Sequence, residues 1–191
     1  MNDFKNTFLL IKEDFLRLSR NNFTFLNAIK LLLTNASFKI TFWFRIGSYL
    51  YNKKSTPSSI MMLFVSIFYK KIQYKTGIQL PLNTQIGKGL QFSHFSCIVI
   101  NSNSTIGDYC TIFQGVTIGS VRGKGVPKIG NNVVIAAGAK VIGNVLIGNN
   151  VFIGANSVVT KDIPDNSIVV GIPAKIINYN GFEETQKYLN N

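Results

Sequence analysis

Between Ile129 and Val159 every sixth residue is a β-branched aliphatic: Ile129, Ile135, Val141, Ile147, Ile153 and Val159. The fifth place of each hexad holds Val133, Ala139, Val145, Val151 and Ser157, all small or β-branched, with Gly, Asn, Ala and Lys between. A period of six fits neither a 3.6-residue helix nor a two-residue strand. It is the signature of a parallel β-helix built from hexapeptides, in which each short strand stacks on the one a full turn away. Upstream, Leu80, Ile86, Phe92 and Ile98 share one register. Ile106 follows eight residues on, then Ile112 and Ile118, and Ile129 comes eleven residues after that. The spacing predicts two inserted residues near 101–104 and five within 119–128. Stacked strands admit no insertion, so extra residues must bulge from the surface. Residues 120–127 are therefore expected as an extruded loop, and residues 165–177 as the closing turn.

Before Gly77 the period is helical. Phe4, Phe8, Ile11, Phe15 and Leu18, spaced 4-3-4-3, predict one apolar stripe, broken at residues 19–22. A second helix is expected over 24–33, and a third over 35–51 with Phe38, Phe42, Ile46 and Tyr49 on one face. Residues 52–59 read as a linker, within which Thr56-Pro57 suits an N-cap and first helical position. A fourth helix runs to about Lys75. Its face of Ile60, Phe64, Ile67 and Phe68 is flanked by Lys53, Lys54, Lys70, Lys71 and Lys75. Such a helix either lies on an anionic membrane or packs on its neighbours with its lysines in water. Residues 181–189 suggest a short terminal helix.

Charge sharpens the division. The formal net charge is +12. Residues 1–77 hold twelve Lys and Arg against three Asp and Glu, and residues 78–191 eight against five, so +9 lies in the first segment and +3 in the second. The basic segment favours an anionic partner or a solvated basic surface. Nucleic acid is not expected, because no recognition motif or basic–aromatic platform accompanies the charge. Cys97 and Cys110 make no disulfide framework, which fits a reducing compartment. The N-terminus lacks the order of a signal peptide. The longest apolar run, 60–69, is about half a bilayer span. The expected location is the cytoplasm, with peripheral contact at the inner membrane face an open reading.

The chain has one histidine, His94. It precedes the glycine-rich loop by two coils, and an imidazole is the usual proton acceptor for a hydroxyl. A single histidine excludes a three-histidine zinc centre of the γ-carbonic-anhydrase kind, and no metal is expected. There is no Walker loop, zinc-type cysteine spacing or G-x-S-x-G. Lys161 and Lys175 each follow a tight stretch of small residues, and lysines beside exposed amides either hold phosphates or stand in solvent.

The segment Ile86-Gly87-Lys88-Gly89-Leu90-Gln91-Phe92-Ser93-His94, the segment Pro127-Lys128-Ile129-Gly130, and the stretches 159–164 and 171–175 together resemble the left-handed β-helix, hexapeptide-repeat acyltransferases. The resemblance is closest to the serine acetyltransferase branch and its relatives that O-acetylate capsule and exopolysaccharide sugars. Phe44-Arg45-Ile46-Gly47-Ser48-Tyr49-Leu50 is similar to part of that branch's helical domain. The implied fold is α+β: a basic helical domain over 1–77, a left-handed parallel β-helix acyltransferase domain over 78–177, and a tail over 178–191. The resemblance further implies a homotrimer, or a dimer of trimers, with acetyl-CoA as co-substrate in a groove between adjacent β-helices. His94 would act as the base of direct acetyl transfer, and a backbone N–H in the Gly119 region would stabilise the oxyanion. Ala137, Ala155, Thr160, Lys161 and Lys175 would line the coenzyme, Ala137 and Ala155 lying one turn apart.

Departures from the branch bear on the acceptor. Ser93 stands where serine acetyltransferases place an Asp before the histidine, and Gly125-Val126 stands where they place Arg-His. Ile78 and Gln79 cannot supply the first-coil carboxylate that orients the imidazole, for which Asp108 is a candidate by proximity in sequence. A bound serine zwitterion needs paired charges, because bare desolvated charges cost several kcal/mol. The expectation is therefore an acetyl-CoA-dependent O-acetyltransferase acting on a sugar hydroxyl of a cell-surface polysaccharide or its precursor, with Ser93, Arg122 and Lys124 touching the glycan. Two alternatives stand beside it: serine O-acetyltransferase with a divergent pocket, and a non-catalytic trimeric β-helix scaffold at the membrane.

Overall fold

From Ile78 onward the chain winds into a left-handed parallel β-helix with three strands per turn. The computed structural model describes residues 4–19, 22–53 and 56–189, without the side chains of 56–59. Arg20 and Asn21 of the expected break, Lys54 of the basic flank and the side-chain cap at Thr56 lie outside the described residues. The first sheet stacks β1 (Ile78–Gln79), β4 (Ile98–Ile100), β7 (Thr117–Gly119), β10 (Lys140–Ile142) and β13 (Val158–Val159). The second stacks β2 (Gln85–Ile86), β5 (Thr105–Ile106), β8 (Lys128–Ile129) and β11 (Leu146–Ile147). The third stacks β3 (Gln91–Phe92), β6 (Thr111–Ile112), β9 (Val134–Ile135), β12 (Phe152–Ile153), β14 (Ile168–Val170) and, antiparallel, β15 (Lys175–Asn178).

All six aliphatics of the run from Ile129 to Val159 are buried inside the coil, as the period requires. The turn between the second and third sheets is built by asparagine. Asn132, Asn150 and Asn166 all hold positive φ, a conformation Asn tolerates better than other side chains. Their amides also hydrogen-bond along the column, Asn132 Nδ2 donating to Asn150 and Asn150 Nδ2 to Asn166, each at 3.0 Å.

One register differs from the expectation. Ile78 pairs with Ile98 and Ile100 with Ile118, so Ile100 continues the column of Leu80. The two extra residues therefore lie between Phe92 and Ile100, not at 101–104. Both Ile98 and Ile100 point inward from one three-residue strand, and spacing alone does not choose between them. The five-residue insertion is where the sequence puts it: Thr117 pairs with Lys140, twenty-three residues on, against eighteen for Lys140 and Val158.

Among the described residues four helices precede the coil: α1 (Phe4–Leu18), α2 (Phe25–Thr34), α3 (Ala36–Asn52) and α4 (Thr56–Thr76). Their faces are partly rotated from the expected ones. In α1, Ile11 and Phe15 are buried with Thr7 and Asp14, while Phe4 and Phe8 are exposed. In α3 the buried side is Ser37, Ile40, Thr41, Phe44 and Arg45 as well as Phe38. In α4, Val65, Tyr69 and Ile72 face inward, and the expected packing face of Ile60, Phe64, Ile67 and Phe68 points outward.

The helices close the open end of the coil. The first turn has no preceding turn to pair with, and buried backbone groups must find partners. Asp14 Oδ1 accepts from the Leu90 amide at 2.9 Å, and Ser37 Oγ from the Phe92 amide at 3.0 Å. Arg45 donates to the carbonyls of Ile86 and Gly87 at 2.7 and 2.6 Å, and Tyr69 and Gln73 both donate to that of Leu80. Arg45 Nε also pairs with Asp14 at 2.8 Å in full burial. At the other end β15 and α5 (Gly181–Leu189) cover the last turn.

Candidate active site

His94 stands on the edge where the third sheet turns into the first, on the bulge that the two extra residues create. The bulge is bent: Ser96 has φ 151° and Cys97 φ 50°. It is pinned at both ends, Ser93 donating its amide to Ile112 O and Ser96 accepting from Gly115 N at 2.9 Å. The imidazole is exposed, with its ring 6.0 Å from that of Phe113. No hydrogen bond to it forms among the described residues, so its nitrogens are open to an acceptor. Ser93 is half-buried beside it.

The same edge continues as a rail. Gly138 N bonds to Gln114 O, Asn156 N to Ala137 O, and Ala174 N to Val158 O, each at 2.8 Å. Ala137 is half-buried and Ala155 exposed. A methyl group at Gly138 would lie 2.1 Å from Asn156 Oδ1, so this position stays bare. Short side chains over a ladder of amides suit a thin pantetheine arm, and the exposed Lys175 stands at the far end where β15 begins. Lys140, which the sequence reading passes over, reaches back to the Gly115 carbonyl and places a cation on this edge. Its hexad place gives no signal, since it differs from any other outward lysine only in this contact.

The remaining predicted residues sit on the opposite edge, where the first sheet turns into the second. Gly119 ends β7, and its carbonyl accepts from Gly143 N at 2.9 Å. The loop leaves there, bridges Val121 to Lys124, and turns through positive φ at Arg122 and Gly123. Arg122 and Lys124 are exposed, as are Thr160 and Lys161 directly after β13. The width of a three-residue strand, about 10 Å, separates this edge from that of His94. One chain therefore sets His94, Ala137, Ala155 and Lys175 along one edge on successive turns, and Gly119, Arg122, Lys124, Thr160 and Lys161 along the other.

Asp108 is not the partner of His94. It lies on the third edge, where its carboxylate accepts from the Lys88 amide at 3.0 Å. Ile78 is buried in the first turn and Gln79 exposed.

Residues 127–161 match the bacterial transferase hexapeptide family (six repeats). The chain is 42% identical over 158 residues to serine acetyltransferase of Staphylococcus aureus (strain Mu50 / ATCC 700699), covering 81% of this chain and 71% of that protein. Its fold matches a serine acetyltransferase in complex with CoA, with a TM-score of 0.74 at 28% identity over 91% of this chain and 71% of the other. It also matches Neisseria gonorrhoeae serine acetyltransferase in complex with serine, with a TM-score of 0.75 at 27% identity over 92% and 70%. These relatives overturn the expected sugar acceptor and favour the serine alternative. The sugar expectation rested on charges missing at Ser93 and Gly125-Val126. Missing charges at those positions are no positive mark of a glycan site.

Proposed function

The chain belongs to the hexapeptide-repeat acyltransferases of the serine acetyltransferase type, acetyl-CoA-dependent O-acetyltransferases, and from that premise we propose that it acetylates the hydroxyl of L-serine in a homotrimer. The support is a likeness that runs through both the helices and the coil at 42% identity. The split of the candidate residues between two edges supports the trimer, because a neighbouring copy brings the loop edge of one coil against the His94 edge of the next.

His94 removes the proton from the serine hydroxyl as the oxygen attacks the thioester carbonyl carbon. The developing oxyanion is held by a backbone N–H of the Gly119 region. The C–S bond then breaks, and the proton passes from the imidazolium to the leaving thiolate, giving O-acetylserine and CoA. Ala137 and Ala155 flank the pantetheine, while Thr160, Lys161 and Lys175 hold the phosphates. Arg122 and Lys124 take over the carboxylate-binding task that Gly125-Val126 cannot perform, and Ser93 offers a hydroxyl beside the base.

The test is release of free CoA thiol from acetyl-CoA with and without L-serine, with O-acetylserine identified by mass. Serine-dependent release is expected, lowered about 10²–10⁴-fold in His94→Ala with CoA binding retained. Absence of serine-dependent turnover in the wild-type chain sinks the acceptor assignment, and full activity of His94→Ala sinks the role of the base.

A further inference from the structure

The outward face of α4 is left uncovered by the described residues. Ile60, Leu63, Phe64 and Ile67 are all more than half exposed, Phe64 at 68%. The last two turns of the same face carry Lys70, Lys71 and Lys75, all exposed, with Tyr74 beneath Lys70 at 5.9 Å. The inward side is fixed by Tyr69 and Gln73 on the Leu80 carbonyl, so the outward face cannot roll in to bury itself. A helix apolar on both sides is built to be covered on both sides.

The charge around this face selects what covers it. From residue 15 to residue 107 the chain holds eleven Lys and Arg and no Asp or Glu. A two-fold contact sets a patch against itself, whereas the trimer contact proposed above joins the two edges of the coil. Pairing this face with its copy would oppose six lysines with no acid nearby to neutralise them. An anionic bilayer meets both halves: acyl chains accept the four aliphatic and aromatic side chains, and headgroups accept the lysines while Tyr74 sits at the boundary. No helix among the described residues is long and apolar enough to cross a membrane, so the contact is along the surface. We propose that α4 docks this acetyltransferase on a lipid surface rich in anionic headgroups, with Ile60, Leu63, Phe64 and Ile67 immersed and its lysine turns among the headgroups. The proposal goes beyond the acetyl transfer and stands whichever hydroxyl is acetylated.

The experiment is co-sedimentation of the full chain with vesicles of phosphatidylcholine alone and of phosphatidylcholine mixed with phosphatidylglycerol. Two variants accompany it, Lys70→Glu/Lys71→Glu/Lys75→Glu and Phe64→Ser/Ile67→Ser. All substituted side chains point to solvent, and an unchanged thermal transition confirms the fold. Binding to the mixed vesicles only is expected, weakened by high salt. The charge variant should bind at least about a hundredfold more weakly, and the apolar variant should also lose binding. Equal binding to both vesicles, no binding, or a charge variant that binds like wild type overturns the proposal. So does a fall in assembly mass in Phe64→Ser/Ile67→Ser without vesicle binding by the wild type, which would mark the face as a contact between copies.

Discussion

Cys97 and Cys110 show how little residue type says before the fold is known. Both are free, but Cys97 lies on the exposed His94 bulge and Cys110 is sealed in the coil with its Sγ 3.3 Å from Gly130 O. Burial pushes the Cys110 thiol up to about 12 from an ordinary 9.0. In the native protein one thiol is therefore expected to react with an aromatic disulfide reagent at neutral pH, and both in denaturant. Two native thiols would show that the coil interior opens. The raised value also sets a pH dependence. The folded thiol binds its proton more tightly than the unfolded one, so the stabilisation is complete below about pH 9 and falls away as pH rises toward 12. Burial raises the Tyr69 hydroxyl as well, which deepens the same alkaline loss. His94 itself was legible from chemistry, as the one imidazole of the chain. Its bulge was not, because the ambiguity of Ile98 and Ile100 displaced the insertion by a few residues.

The elements divide sharply in what the sequence disclosed. The hexad period alone identified the coil, its interior columns and the 120–127 loop, since a solenoid repeats one local rule. The helices obey no repeat, and their burial depends on what lies across from them. Phe8 and Phe64 look like core residues and are exposed, while Asp14 and Arg45 look like surface residues and are the most buried charges of the helical segment. What placed them inside is the unpaired backbone of the first turn, invisible to helical periodicity. Burial raises the Asp14 carboxyl and the Arg45 guanidinium pulls it back, so the pair holds only with both members present. Arg45→Ala leaves that buried carboxylate with its Leu90 amide but no counter-charge, and takes the Arg45 donor from the carbonyls of Ile86 and Gly87. A loss of about 3–5 kcal/mol is expected, read as a lowered thermal or urea midpoint. Arg45→Lys should recover little of it, because one ammonium cannot serve a carboxylate and two carbonyls in that fork. A midpoint within experimental scatter of wild type in Arg45→Ala would remove this pair as the clamp between helices and coil.

At the scale of the whole molecule, the sequence yielded the enzyme class but misjudged the acceptor. Three departures from the branch's motifs outweighed a likeness covering most of the chain, and the relatives reverse that weighting. The structure adds a division that no linear motif displays: His94 and the rail on one edge of the first sheet, the loop and Lys161 on the other. The most direct test is complementation between two inactive chains, His94→Ala and Arg122→Ala/Lys124→Ala, refolded together and assayed for serine-dependent CoA release. With each site shared between neighbours, random mixing restores about a quarter of the wild-type activity, since a site is intact when both of its contributors are the right variants. A mixture no more active than its separate components would contradict the shared site and place catalysis within a single chain.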